Sequence, residues 1–557
     1  MTDVEELLTQ ARAWLRQDPD AHTRDELAGL VTGAGAGDNS ALRELASCFA
    51  GRLAFGTAGL RGALGPGPNR MNRVLVTQAA AGLAAYVKEH THATPTIVVG
   101  YDGRRNSRVF AYDSAEIFAG AGIRAIVLPQ LLPTPVLAFA VRHFGADAGV
   151  MVTASHNPPQ DNGYKVYLGG PDQGSQIVSP ADAHIAAHIA RVAESTTVDQ
   201  LPRSTEFTVA DDTVVAEYIA ATAADARAPE GAHGLRWAYT AMHGVGWYTF
   251  ERVIRAAGYP APRVVKEQID PDPLFSTVAF PNPEEPGAMD LVLARARQTG
   301  ADLALAHDPD ADRLAVAIAD SSAQGGWRQL TGNEVGLLLG QRAAQQASGI
   351  EGASLACSLV SSPGLGAIAE HYGLGFHETL TGFKWISRAP GMVFGYEEAL
   401  GYLVNPHTVR DKDGISAAVS ILELAAAARI EGQTLADRLQ ALTELIGAFA
   451  SGQVSLRVEQ LDTIDTIMQS LRDNAPTEWG ERQVVRADDL AHAQGSVPAG
   501  NILRYYLDDG SRIIVRPSGT EPKLKVYIDT RAESAEQARA AVTELESAAQ
   551  ALLDARS

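Results

Sequence analysis

Three neighbouring stretches decide the fold: TPTIVVGYD (94–102), AEIFAGAGI (115–123) and RAIVLP (124–129). The first and third are short apolar runs of strand length, and the second has helical spacing. Strand, helix and strand in this rhythm read as a βαβ unit, and such units build a mainly parallel sheet. Further on, AGVMVTASHNP (148–158) is another strand that breaks into a polar loop. The rhythm returns in RWAYTAMHGVG (236–246) and DLALAHDPDADR (302–313). It returns again in SLACSLVSS (354–362), AIAEHYG (367–373) and MVFGYEEALG (392–401). The expected fold class is α/β, with three similar domains of mixed, mainly parallel sheets. Ligands of open α/β sheets bind at the carboxyl ends of strands, where all these polar loops lie.

Composition shifts after about residue 450. SLRVEQ (455–460) and NILRYYLDDGSRIIVRPSGTEPKLKVYIDTRA (501–532) precede a helical tail (533–557). This predicts a smaller C-terminal α+β domain with an antiparallel sheet, and Asp509-Gly510 marks a hairpin turn. Residues 1–50 read as helical: Val4, Leu7, Leu8 and Ala11 fall at helical spacing, and Asp3, Glu5 and Glu6 suit a helix N-terminus.

A chain of 557 residues has room for three to four domains at roughly 150 residues each. Its 46 basic and 66 acidic residues leave a net charge of −20, which repels nucleic acid and anionic lipid. Neither is an expected partner. A phosphorylated substrate remains compatible, because local Arg and Lys can override the global field. The two cysteines, Cys48 and Cys357, exclude a disulfide framework and a thiolate metal site. The acidic start MTDVEELLTQARAW does not read as a signal peptide, and no run reaches the ~18 apolar residues of a membrane span. A cytoplasmic location is expected.

Four loops carry chemistry. In TASHNPPQDNGYKVY (153–167), Ser155 at a strand end can accept a phosphoryl group if its charge and proton are handled. His156 and Lys165 are the candidates, and a plain polar turn is the other reading. In DPDADR (308–313), alternate carboxylates of an extended loop would converge, and Asp308, Asp310 and Asp312 then repel unless a cation lies among them. Oxygen-only ligands select a hard ion, Mg²⁺ or Ca²⁺. An EF-hand is disfavoured, and a solvated acidic turn is the alternative. Arg313 beside them suits an anion.

In GYEEALGY (395–402), Glu397 and Glu398 can accept hydrogen bonds from sugar hydroxyls, although adjacent Glu pairs are common on helices. In RPSGTEPKLKVY (516–527), Arg516, Ser518, Gly519, Thr520, Lys523 and Lys525 form an anion cradle or a basic surface turn. FGTAGLRG (55–62) and RDKDG (410–414) add two cations, Arg61 and Lys412. His184 and His188 stand four apart in ADAHIAAH, but no third ligand is apparent, so an exposed helix face is expected there.

Together these loops resemble the α-D-phosphohexomutase superfamily, the phosphoglucomutase and phosphomannomutase enzymes. The likeness runs from about residue 50 to 530, with TASHNP, DPDADR, GYEEALG and RPSGTEP in the family's order and spacing. FGTAGLRG, TGFKWI (381–386) and GYEEALGYLV resemble the branch with phosphoglucomutase-like and phosphopentomutase-like enzymes.

The resemblance implies four domains around a central cleft. These would be a catalytic phosphoserine domain (51–208) after the helical extension (1–50), a metal-binding domain (209–325), a sugar-binding domain (326–450) and a phosphate-binding domain (451–557). It implies Ser155 as the phosphoserine and Mg²⁺ on Asp308, Asp310, Asp312 and a phosphoserine oxygen. Arg61, His156, Lys165 and Arg313 would flank the transferring phosphate, with Lys165 moving the proton. Thr381, Gly382, Glu397 and Lys412 would contact sugar, while Arg516, Ser518, Gly519, Thr520 and Lys525 would clamp the distal phosphate.

The implied activity is a phospho-sugar mutase passing through a sugar 1,6-bisphosphate, which also serves as activator. The implied assembly is a monomer or homodimer. Glucose 1-phosphate is the first expected substrate, with mannose and ribose phosphates as alternatives. A non-catalytic sugar-phosphate-binding paralogue and a phosphatase are the other readings. Ala399 stands where many relatives carry Ser, which bears on sugar preference.

Overall fold

Thr96–Tyr101 lies inside a mixed sheet of the computed structural model, which describes residues 4–91, 93–458, 461–492, 499–517 and 523–556. The strand order is Leu60–Ala63, Asp161–Leu168, Ala148–Val152, Thr96–Tyr101, Arg124–Val127, Thr208–Val209, with Ser175–Gln176 beside Asp161–Leu168. Thr96–Tyr101 runs parallel to both Arg124–Val127 and Ala148–Val152. Asp161–Leu168 returns antiparallel to Ala148–Val152. The helix Arg73–His90 covers this sheet, and Asn72 caps it by accepting from the Leu75 N–H. Leu75 and Leu83 of this helix, Phe110 and Phe118 of the helix Ser107–Gly120, and Val99 and Val150 of the sheet share one core.

The N-terminal stretch forms helices Val4–Gln17, Ala21–Gly35 and Asn39–Cys48. Their apolar faces join around Leu8, Trp14, Leu27 and Leu45, and rest on Val74 and Val198. Asp20 and Asp38 cap the second and third helices.

A second sheet has the order Trp327–Gln329, Leu314–Ala319, Leu303–His307, Trp237–Thr240, Arg263–Val264. Leu303–His307 runs parallel to Trp237–Thr240 and antiparallel to Leu314–Ala319. These two sheets, with Asn405–Ala427, make one compact unit.

Leu330–Val404 and Ala428–Ser557 make a second unit. One of its sheets orders Gly375–Thr379, Ser354–Ser358, Met392–Glu397 and Gly401–Leu403, parallel except for the last strand. The other is antiparallel: Ala448–Arg457, Lys523–Ala532, Arg512–Pro517, Leu503–Leu507, Arg482–Asp489, Glu478–Trp479. Tyr506 pairs with Arg512 around the turn at Asp509-Gly510. Helices Leu461–Asp473 and Ala535–Asp554 bury Ile467, Met468, Leu545 and Leu553 against this sheet.

In each α/β sheet a chemistry-bearing loop joins two antiparallel neighbours. TASHNP links Ala148–Val152 to Asp161–Leu168, DPDADR links Leu303–His307 to Leu314–Ala319, and EEAL links Met392–Glu397 to Gly401–Leu403. The loops leave the carboxyl ends of parallel strands but return as hairpins. Cys48 and Cys357 are free and buried. Among the described residues, no helix is long and apolar enough to cross a membrane.

Candidate active site

The 308–313 loop is a tight turn and not the extended segment that alternation suggested. Ala311 adopts a left-handed conformation, φ +54°, and its N–H donates to the Asp308 carbonyl. The convergence of carboxylates follows from this turn: one oxygen from each of Asp308, Asp310 and Asp312 lies within 4.8 Å of the others. All three residues are fully buried. A neighbouring loop supports the turn from beneath. The Val245 N–H donates to the Pro309 carbonyl, and a Cβ on Gly244 would stand 2.3 Å from the Pro309 Cα. Only glycine allows that approach.

Ser155 reaches the triad from the first sheet. Its backbone is left-handed, φ +51°, and its hydroxyl donates to Asp308 Oδ2 at 2.8 Å. His156 Nδ1 lies 3.2 Å from the same Oγ. The hydroxyl has one proton, and Asp308 accepts it, so the imidazole donates to Oγ from a protonated Nδ1. Lost hydration, then the Arg313 and Arg61 charges, pushes the His156 pKa well below its ordinary value, so the ring is neutral.

Lys165 lies on the strand opposite Met151. Its ammonium donates to Asp310 Oδ2 at 2.7 Å and to Asp312 Oδ2 at 2.8 Å. Burial favours the neutral amine, but the two carboxylates outweigh it and the Lys165 pKa is raised. In this arrangement Lys165 is a cation, not a base. Burial also opposes the charge on Asp310, but Lys165 wins and the Asp310 carboxyl is lowered. Asp308 goes the other way, pushed well up by burial and by Asp310 and Asp312.

Lys412 arrives from Asn405–Ala427 and places Nζ 2.8 Å from Asp312 Oδ2. Gly414 allows this, since a Cβ there would meet the Arg313 carbonyl oxygen at 2.5 Å. Arg61 donates to Asn157 Oδ1 at 3.2 Å, and Arg313 pairs with Glu284 at 3.6 Å. Arg61, His156, Lys165, Arg313 and Lys412 are thus gathered around Ser155 and the triad.

The donor set suits a hard divalent cation. Asp310 Oδ1 and Asp312 Oδ1 are buried and accept no hydrogen bond, which is costly for a carboxylate unless a cation satisfies it. Every ligand offered is oxygen.

The second unit holds the remaining residues. Glu397 ends its strand, paired across to Gly401, and Leu400 turns the loop at φ +61°. Glu398 is tied to its own sheet: Ser358 and Ser361 donate to Oε2 at 3.0 Å each, and its N–H donates to Ser361 Oγ at 3.1 Å. Thr381 is half-buried, and Gly382, φ +109°, starts the short helix Phe383–Ile386. Arg516 and Lys525 are cross-strand partners. Like charges directly opposite repel, and an anion between them relieves that repulsion. Ser518, Gly519 and Thr520 lie outside the described residues.

Tyr527 joins these residues unforeseen, a buried phenol whose pKa is raised by burial and by the Glu398 charge, against Arg516 beside it. The sugar and phosphate loops therefore share a neighbour, and the alternation KLKVY was the signal. Arg104 is likewise unforeseen, although DGRR follows Thr96–Tyr101 directly. His188 corrects the expectation of an exposed helix face. It is buried beside Tyr86, with Nε2 3.1 Å from Glu89, while His184 is exposed.

Family models for phosphoglucomutase/phosphomannomutase match in series: alpha/beta/alpha domain I at 52–196, domain II at 216–322, domain III at 331–446 and the C-terminal domain at 472–547. The chain belongs to the phosphoglucomutase/phosphomannomutase family. A protein of Haemophilus influenzae named "Probable phosphomannomutase" is 52% identical over 476 residues, covering 86% of this chain and 96% of the relative. The human phosphopentomutase is 34% identical, with 93% and 90% covered. A Staphylococcus epidermidis phosphoglucomutase is 34% identical, with 86% and 90% covered. As a member of this family the chain is a sugar-phosphate mutase.

Proposed function

We propose that Ser155 carries a phosphoryl group and that the enzyme interconverts the 1-phosphate and 6-phosphate of an aldohexose, glucose first, through a sugar 1,6-bisphosphate. One observation carries this reading: the Ser155 hydroxyl is buried at 2.8 Å from Asp308, within a triad ringed by Lys165, Lys412, Arg61 and Arg313. A nucleophile in such surroundings is suited to phosphoryl transfer, where positioning and charge stabilisation supply most of the rate. Asp308, Asp310, Asp312 and Ser155 would hold Mg²⁺, which when bound offsets negative charge on the transferring group.

The chain's own residues do the rest. Asp308 and neutral His156 hydrogen-bond Ser155 Oγ and orient it. Arg61 and Arg313 provide planar forks for phosphate oxygens. Glu397 and Thr381 orient the sugar, and Arg516 with Lys525 holds the phosphate that is not reacting. Phospho-Ser155 passes its phosphoryl group to the free hydroxyl of the monophosphate: the P–Oγ bond breaks as the bond to the sugar oxygen forms, and the hydroxyl's proton ends on Ser155 Oγ. The bisphosphate reorients, and its other phosphate returns to Ser155.

Mannose phosphate is the second reading, favoured by the Haemophilus relative. Pentose phosphate is the third, favoured by the human one. A coupled assay over glucose, mannose, glucosamine and ribose 1-phosphates, with Mg²⁺ and trace bisphosphate, ranks the sugars. Phosphate should map to Ser155 by mass spectrometry, and Ser155→Ala should abolish turnover. Full activity in that variant sinks the assignment, and release of inorganic phosphate without isomer would make the enzyme a phosphatase.

A further inference from the structure

Arg104 is buried, 5% exposed, in the turn that follows Thr96–Tyr101. Its Nη2 donates to the carbonyl oxygens of Ser155 at 2.6 Å and Asn157 at 2.5 Å. Its Nη1 donates to those of Pro158 at 2.8 Å and Asp161 at 3.2 Å. One guanidinium thus gathers four main-chain carbonyls along the nucleophile loop. Behind it, Arg104 Nε faces Asp102 Oδ2 at 3.5 Å, and Asp102 Oδ1 accepts from the Arg104 N–H and from Ser107 Oγ. Phe275 covers the guanidinium plane, 4.9 Å from ring centroid to Cζ. Phe275 is itself buried, with a left-handed backbone, φ +49°, in a loop of the domain that carries the carboxylate triad.

Burying a guanidinium is expensive unless each N–H finds an acceptor. The left-handed Ser155 is also costly and persists only where the surroundings over-determine it. Arg104 answers both needs at once. Four carbonyls take the Nη donors, Nε meets Asp102 only as a charge at 3.5 Å, and the cation fixes the loop that bears Ser155. Lysine has neither the planar fork nor the number of donors to replace it.

We propose that Arg104, braced by Asp102 and capped by Phe275, is the positioning residue that holds Ser155 in line with the carboxylate triad. It touches no reacting atom. The inference rests on Ser155 as the phosphate carrier, and it adds that the geometry of this carrier is set from behind by one cation. Phe275 makes that cation common to two domains, so the placement of the nucleophile and of the triad is coupled.

The test uses the full chain. Arg104→Ala, Arg104→Lys and Phe275→Leu are assayed with glucose 1-phosphate for kcat and KM, alongside Ser155→Ala and with thermal melts. A misplaced nucleophile costs on the order of 100-fold in rate. Both Arg104 variants should therefore lose about that much kcat at a KM within about threefold of wild type, with Phe275→Leu in between.

The side chain borders a cavity of about 700 Å³ lined by Tyr101, Asp102, Tyr112 and Tyr248. Guanidinium ion at millimolar concentration can enter it and should restore turnover to Arg104→Ala, whereas methylammonium should not. A purely structural role would lower the melting temperature without such rescue. If Arg104→Ala does not fold, Arg104→Lys and Phe275→Leu decide by the split between kcat and KM. Wild-type kcat in the Arg104 variants, or a folded Arg104→Ala that guanidinium fails to rescue, overturns the inference. An active Ser155→Ala would instead overturn the phosphate-carrier reading, so the two failures are distinguishable.

Discussion

Asp413 is a buried carboxyl whose role is to hold the loop that brings Lys412 to the triad. It accepts from the N–H groups of Ile415 and Ser416 and from the Tyr218 hydroxyl. Burial outweighs these bonds and pushes its pKa up to about 6 from 3.8. Between those values the folded chain keeps a proton that the unfolded chain has lost. Stability therefore falls as pH rises from about 4 to 6, by about 3 kcal/mol in all, and levels off above. Asp413→Asn keeps the acceptor for Ile415 and Ser416 but carries no charge. It should match wild type near pH 4 and exceed it by up to about 3 kcal/mol at pH 7, read by urea denaturation at both values. Equal offsets at the two pH values would refute the assignment. At this scale the sequence was legible where residue type announces chemistry, as with Ser155 and the three Asp. It was illegible where a polar residue works through backbone. Arg104 resembles any surface arginine until the fold places four carbonyls around it.

At the scale of elements, the βαβ rhythm could be read from apolar runs alone, because a buried parallel strand is apolar on both faces. The antiparallel return after each chemical loop could not. LAVAIA after DPDADR and YKVYL after TASHNP are equally apolar, and periodicity does not report direction. The same limit applied to the Asp turn, where a left-handed alanine brings together carboxylates that alternation would have aligned. Arg516 and Lys525 were legible as cations, but their direct opposition needed the register. That opposition predicts a split result for Arg516→Ala. Relief of repulsion should stabilise the free enzyme by roughly 0.2–1 kcal/mol. Loss of a charge-assisted bond to phosphate should cost binding roughly 1.5–3 kcal/mol and raise KM. Distal-phosphate binding energy also supports the chemical step, so kcat should fall as well. Melting curves and steady-state kinetics on one preparation read both signs. KM and kcat both within twofold of wild type would place the clamp elsewhere.

On the scale of the whole molecule, a chain of net charge −20 concentrates cations around one buried triad, so its attraction for phosphate is local. The family models run consecutively along the chain, with 331–446 as domain III, while by contact the first unit also takes in Asn405–Ala427. That segment supplies Lys412 to Asp312, Asp413 to Tyr218 and the Gly414 carbonyl to His307. A fragment ending at Gln329 should therefore fail to fold cooperatively, and co-expressed 405–427 should recover protection of Tyr218 and His307 in hydrogen exchange. A stable 1–329 fragment would contradict this. The same interleaving puts the first unit on a clock set by the ribosome. Its last piece emerges about a hundred residues after Gln329, roughly 5–20 s later at ordinary elongation rates. Throughout that interval the nascent chain exposes an unfinished core, a window in which a chaperone that holds apolar surface would find its client.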